Sequence, residues 1–366
     1  MMYKMGLKVS TVCVAFLAIL AGTAMADCKI VDGYSPMVRT QPLLGGSLTV
    51  GRDIPVGAEI YRQTFNPVGN IMLNCSAGIY TIQQDASLPI TPLPNSGWSG
   101  GLYGNKVYQT GVPGIGVAIL TLGQPLPAST PMTNCSATGA CNYIYSWHMG
   151  FDLSFVKTGD VSPGVIQGSQ LPTMARSLIS SNTVEYQRVN FSGSINIVSR
   201  TCQTPDVTVQ MGSHKTDEFS GRNSSTPWTD FSISLNNCPA FNGYYQGTGP
   251  KWSSDGTIAN LNSRKNNVIQ VSIWPTIMPL DPGLSILDLD PSPAGMPPAA
   301  TGVGVQIADQ TGTPWPLIAF RESGITPSSV EGASYTIPLK ARYVQTGDTI
   351  SAGPANATAT FTLNYE

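Results

Sequence analysis

The sequence predicts an all-β protein of two β-sandwich or barrel domains, and three observations point to it. Short runs rich in Val, Ile, Thr, Ser and Tyr alternate apolar with polar residues, and turn clusters separate them. Beyond residue 26, convincing helical periodicity is absent. Gly and Pro are abundant, at 38 and 29 of 366 residues, a composition suited to many short strands joined by turns.

The N-terminus reads as a secretion signal over residues 1–26. Lys4 and Lys8 supply positive charge, residues 9–20 are largely apolar, and Ala24, Met25 and Ala26 fit a small-residue cleavage pattern. The apolar run is short for a membrane span, so the mature chain is expected to begin at Asp27. Cys13 lies in the signal, which leaves Cys28, Cys75, Cys135, Cys141, Cys202 and Cys238. An even number in an exported chain argues for disulfides. About fifteen connectivities are open to these six cysteines; chain order favours Cys28–Cys75, Cys135–Cys141 and Cys202–Cys238. No C-x-x-C pair occurs, which argues against redox or zinc chemistry.

The roughly 340 residues that remain suit two domains. A first series of alternating segments runs through 47–50 (SLTV), 70–74 (NIMLN), 78–82 (GIYTI), 116–122 (GVAILTL), 143–147 (YIYSW) and 151–155 (FDLSF). A second runs through 191–202 (FSGSINIVSRTC), 207–211 (VTVQM), 231–235 (FSISL), 268–274 (VIQVSIW), 302–307 (GVGVQI) and 335–343 (YTIPLKARY). This is the rhythm of a β-sandwich or barrel. The seam is placed between Tyr186 and Val189, giving domains 27–188 and 189–366. The Pro-rich stretch 279–298 is expected as a surface loop, because strands resume on both sides.

Charge is sparse and balanced: 19 Lys and Arg against 21 Asp and Glu, net −2. That removes any electrostatic case for nucleic-acid binding. Residues 97–101 (GWSGG) satisfy G-x-S-x-G, but Pro92, Pro94, Asn95 and Gly104 around Ser99 describe a loop rather than a strand–helix elbow. Gly114 with Gly116, and Gly302 with Gly304, lack the rest of a dinucleotide fingerprint. The mature chain holds two histidines, His148 and His214, assigned to different domains, which excludes a three-histidine metal site within one of them. Asp152 and Asp160 read as surface carboxylates rather than a glycosidase pair. No catalytic residue, cofactor or metal is expected.

The last fourteen residues, 353–366 (GPANATATFTLNYE), place Ala355, Ala357, Ala359, Phe361, Leu363 and Tyr365 on one strand face. Such an open-edged strand is a liability unless another protein covers it. The pieces 201–202 (TC), 205–212 (PDVTVQMG), 231–239 (FSISLNNCP), 302–309 (GVGVQIAD) and 340–344 (KARYV) share their order with this ending, where Gly353 is fourteenth from the end and Tyr365 penultimate. Together they resemble the pilin domain of chaperone–usher fimbriae. The resemblance implies two immunoglobulin-like β-sandwich domains, the C-terminal one lacking its last strand, with a groove lined by Phe361, Leu363 and Tyr365. It implies that a periplasmic chaperone fills that groove first, that the N-terminal extension of an adjacent fimbrial subunit later replaces the chaperone, and that an outer-membrane usher is a further partner. It also implies that the terminal carboxylate at Glu366 meets basic residues of the chaperone.

Because Cys28 follows the expected cleavage site at once, the chain offers no donor strand of its own, and the reading places it at a fimbrial tip. Residues 53–57 (DIPVG) and 112–117 (VPGIGV) are similar to text in the receptor domains of two-domain tip adhesins. A glycan site needs an aromatic platform with nearby amides and carboxylates. Candidates are Trp98, Tyr103 and Asn105 in one Gly-rich segment, Asn142 and Tyr143 beside the Cys135–Cys141 loop, and Trp147 and Asp152 flanking Gly150. In mannose-binding relatives the mature N-terminus helps form the pocket. Asp27 stands here instead of their aromatic residue. The alternative is a structural tip cap or initiator without a receptor.

Overall fold

The structure, a computed structural model, describes residues 27–78, 81–132, 139–145 and 149–366. The expected signal segment, Cys135 with its bridge to Cys141, Trp147 and His148 lie outside the described residues.

The chain is all-β. The helical elements described are single 3-10 turns at Gly101–Tyr103, Gly168–Gln170 and Thr216–Glu218. In the N-terminal half a five-stranded sheet runs in the order Ala128–Met132, Ile82–Ile90, Thr173–Ile179, Thr183–Ser192, Met37–Pro42. A second sheet centres on Glu59–Asn66, Phe151–Lys157 and Ile115–Thr121. Alternation puts Ile82, Met174, Leu178 and Val189 from the first sheet, and Tyr61, Phe65, Val117 and Phe155 from the second, into one core. Cys28 and Cys75 sit directly opposite in register and are bridged.

The expected seam at 188/189 falls inside Thr183–Ser192, whose alternation continues the N-terminal sheet. Ser194–Val198 follows, paired with Ser47–Thr49, and its Ile195 and Ile197 still belong to the first core. The second core begins at Cys202, bridged to Cys238. It lies between a four-stranded sheet (Thr229–Cys238, Ala333–Gln345, Val303–Asp309, Ile286–Leu287) and a three-stranded one (Arg321–Glu322, Ile269–Pro275, Ala359–Tyr365). The Pro-rich stretch is not wholly a surface loop. Its Ile286 and Leu287 form a buried strand against Val303–Asp309, because two adjacent apolar side chains there have a sheet edge to pair with.

One excursion breaks the two-domain division. Between Cys238 and Ile269 the C-terminal half crosses to the N-terminal sheet, where Lys251–Ser253 adds in parallel beside Glu59–Asn66. Tyr244 and Tyr245 join the N-terminal core.

Candidate functional site: an open groove along the terminal strand

The terminal strand Ala359–Tyr365 is paired along one edge only, antiparallel to Ile269–Pro275. Glu366 exchanges main-chain hydrogen bonds with Val268 in both directions, at 2.8 and 3.0 Å. Alternation then turns the main-chain groups of Asn364, Thr362 and Thr360 toward that partner, and those of Tyr365, Leu363, Phe361 and Ala359 outward. At Ala359 and Phe361 that outward edge faces a groove of about 830 Å³.

Residues 204–212 form the opposite wall. They run extended, with Val207, Val209 and Met211 half-buried against the core and Thr208 and Gln210 exposed. Among the described residues, this stretch makes no main-chain hydrogen bond to another strand. Ile233, Ile273, Ile307 and Leu339 lie on the floor, while Ala355, Ala357, Ala359 and Phe361 line the near wall. Two walls of extended chain thus flank an apolar trough, the arrangement in which an added strand gains pairing from main chain and specificity from alternate side chains. A second cavity of about 710 Å³ continues it past Tyr343 and Ala355 to Phe219, Val303, Ile350 and His214. His214 binds Glu218 at 2.9 Å and stands edge-on to Tyr343.

The residues singled out from the sequence divide here. Phe361 lines the trough, and Gly353 lines its continuation. A Cβ on Gly353 would lie 2.4 Å from the Pro298 carbonyl oxygen, so the close approach of the two chains requires glycine. Leu363 and Tyr365 are buried beneath the strand instead, Tyr365 stacked on Phe241 at 6.4 Å. The Glu366 side chain receives a hydrogen bond from Asn364. The far wall of Val207, Val209 and Met211 was visible only as an alternating motif, and that alternation was the signal that could have assigned it to the groove.

In the N-terminal half, Trp98, Tyr103 and Asp152 gather beside one sheet. Tyr103 is 6% exposed, and its hydroxyl donates to Glu59 at 2.7 Å. Burial raises the pKa of that phenol. Arg62 binds Glu59 and Asp152 at 2.8 and 3.0 Å, and Thr64 donates to Asp152 at 2.6 Å. The Trp98 indole lies against Gly57 and Gly100, where an added Cβ would come within 3.3 and 2.6 Å of its ring. Its Nε1 is buried without a partner among the described residues. Asn105 is exposed at φ 51° and holds the loop by donating to the Trp98 carbonyl and accepting from Asn95. Asn142 lies on a different, three-stranded sheet, bound to Asn74 at 2.7 Å, and Asp27 immediately precedes a strand of that sheet, bound to Ser76 at 3.0 Å. Ser99 follows a loop and precedes a single 3-10 turn, without the strand–helix geometry of a nucleophile elbow. Among the described residues, no group of three His, Cys, Asp or Glu side chains is placed to hold a metal ion.

Residues 189–366 match the family model described as fimbrial protein. The chain is 30% identical over 198 residues to the type-1 fimbrial protein, A chain, of Escherichia coli (strain K12), covering 52% of this chain and 89% of that one. It is 26% identical over 340 residues to the fimbria adhesin protein of Klebsiella pneumoniae, covering 88% of this chain and 89% of the relative. Among solved structures, the CupB6 tip adhesin from Pseudomonas aeruginosa aligns over 92% of this chain and 94% of its own, at 14% identity and a TM-score of 0.33. The chain belongs to the fimbrial protein family.

Proposed function

We propose that this chain is a non-enzymatic adhesin subunit at the tip of a chaperone–usher fimbria. Its C-terminal half accepts a strand from an adjacent subunit, and its N-terminal half meets a surface receptor. The observation that carries the first part is the trough between residues 204–212 and the terminal strand: among the described residues, 204–212 makes no main-chain hydrogen bond to a strand, and Ala359 and Phe361 have no outward main-chain partner. A periplasmic chaperone occupies it before assembly at the usher, and the donor strand occupies it afterwards. Expression without the chaperone is expected to leave the chain unfolded or degraded. Abundant stable monomer, with neither chaperone nor donor peptide, would overturn the reading.

The receptor role is supported by alignment across both halves with a relative named as a fimbria adhesin. A glycan is the receptor class inferred, with Asp27, Trp98, Tyr103, Asn105, Asn142 and Asp152 as the residues to probe. One observation favours the structural-cap alternative: Tyr103 is buried and its hydroxyl is engaged by Glu59. A glycan array probed with the full chain carrying its donor peptide separates the two. Binding supports the receptor role, whereas negative glycan and protein-ligand screens support the cap.

A further inference from the structure

We propose that residues 51–53 of the N-terminal half are a register stop, capping the last main-chain groups of the acceptor edge so that the incoming strand stops pairing at Phe361. The inference rests on the reading of the trough as a strand acceptor and adds what limits the strand's reach.

The outward edge of the terminal strand is not open along its whole length. The Arg52 guanidinium donates to the Leu363 carbonyl at 2.9 Å. The Tyr365 N–H donates to the Asp53 carboxylate at 2.9 Å, and the Asp53 N–H donates to the Tyr365 carbonyl at 3.2 Å. These are the groups a continuing donor strand would need. Phe361 and Ala359, one and two steps earlier than Leu363 on the same edge, have no main-chain partner on that side among the described residues.

The cap is held from behind. Arg52 and Asp53 pair with each other through two hydrogen bonds of 3.1 Å. Lys157, 2% exposed at the end of Phe151–Lys157, donates from its ammonium to the carbonyls of Gly51 and Arg52. Gly51 permits the contact. A Cβ there would stand 2.1 Å from the Tyr365 carbonyl oxygen, a main-chain atom that cannot swing aside. A strand extending beyond Phe361 therefore meets a loop pinned to the N-terminal sheet, and longer pairing requires that loop to leave.

The test uses the full mature chain and two synthetic donor peptides of alternating Val and Thr, the longer carrying one further residue pair at the end that reaches Leu363. Amide hydrogen exchange and peptide affinity are measured for the unmodified chain, Gly51→Ala, Arg52→Ala and Asp53→Ala. In the unmodified chain refolded with either peptide, the Tyr365 and Phe361 amides are both expected to exchange slowly, and the two peptides to bind equally. In the variants the Tyr365 amide is expected to exchange faster, and the longer peptide to bind about tenfold tighter than the shorter one. A longer peptide that already binds tighter to the unmodified chain, with Phe361 protected, overturns the register stop and leaves strand acceptance standing. If neither peptide slows Phe361, strand acceptance itself fails, and the stop fails with it. The unmodified chain decides both points even where a variant does not fold.

Discussion

The ring of Tyr245, from the C-terminal half, stands edge-on to Tyr61 of the N-terminal sheet with centroids 5.8 Å apart, and neither ring reaches solvent. Around them the excursion is tied down throughout. The Tyr245 N–H donates to the Ile60 carbonyl at 3.2 Å, and the Thr64 N–H to the Pro250 carbonyl at 2.9 Å. Arg264 donates to the Tyr245 hydroxyl and to the carbonyls of Gly45, Ser47 and Asn242. Trp252 packs on Phe65 at 5.6 Å. The C-terminal half thus completes the N-terminal core.

Tyr245→Ala is therefore expected to destabilise the N-terminal domain, although the substitution lies in the pilin half. Removing a fully buried aromatic costs about 3–5 kcal/mol. Urea denaturation of the full chain with donor peptide bound checks this. The same measurement on residues 27–198 alone is expected to show a lower midpoint than the N-terminal domain has in the full chain. Equal midpoints would show that the excursion merely rests on the sheet.

Glu59 makes this junction sensitive to acid. Burial pushes its carboxyl up, but hydrogen bonds from Arg62, Ser154 and Tyr103, together with the Arg62 charge, outweigh burial and hold it below its ordinary 4.5. The same carboxylate accepts from the Gly247 N–H of the excursion at 2.8 Å. A carboxyl whose pKa is lowered by folding contributes stability that is complete above its unfolded value, and loses it as pH falls through the folded one. Stability is expected to hold above about pH 4.5 and decline below it. Glu59→Gln should cost on the order of 1–3 kcal/mol at neutral pH and flatten that acid limb. A denaturation series across pH on both proteins reads the difference.

Trp98→Ala separates packing from recognition. The indole fills the space over Gly57 and Gly100 and borders the small cluster of Tyr103, Val107 and Val156. Loss of about 3 kcal/mol of stability is expected. Lost binding with an unchanged midpoint would assign Trp98 to a receptor site instead.

How much of this was legible before folding depended on whether the signal was local. Alternation from Ala355 to Tyr365 marks a strand because its period of two is written in adjacent residues. The same holds for Val207, Val209 and Met211. Tyr245 carries no comparable mark: its partner Tyr61 is remote in sequence, and no local periodicity reports which core an aromatic will enter. The sequence puts the seam inside Thr183–Ser192 for the same reason, since pairing with Thr173–Ile179 and Met37–Pro42 decides where that strand belongs. Trp98 in a Gly-rich loop reads alike whether its ring is presented to a ligand or folded over two glycines. Leu363 and Tyr365 share Phe361's face in the sequence, and only the cover from residues 51–53 and Phe241 distinguishes them.

The trough itself can be blocked from its near wall. Ala355, Ala357 and Ala359 present small side chains along it, leaving the volume to be filled by a donor's larger ones. Ala357→Trp would put an indole into that space without removing a buried group or altering pairing with Ile269–Pro275. Overpacking is tolerated where the space is open to solvent and opposed where another chain must enter. The variant is expected to lower donor-peptide affinity by tenfold or more, on the order of 1.4 kcal/mol or above, and to stop incorporation into fimbriae. Ala357→Ser, which leaves the volume free, is expected to assemble normally. Isothermal titration with the peptide, alongside electron microscopy of fimbriated cells, checks both; full assembly of the Trp variant would place the incoming strand elsewhere.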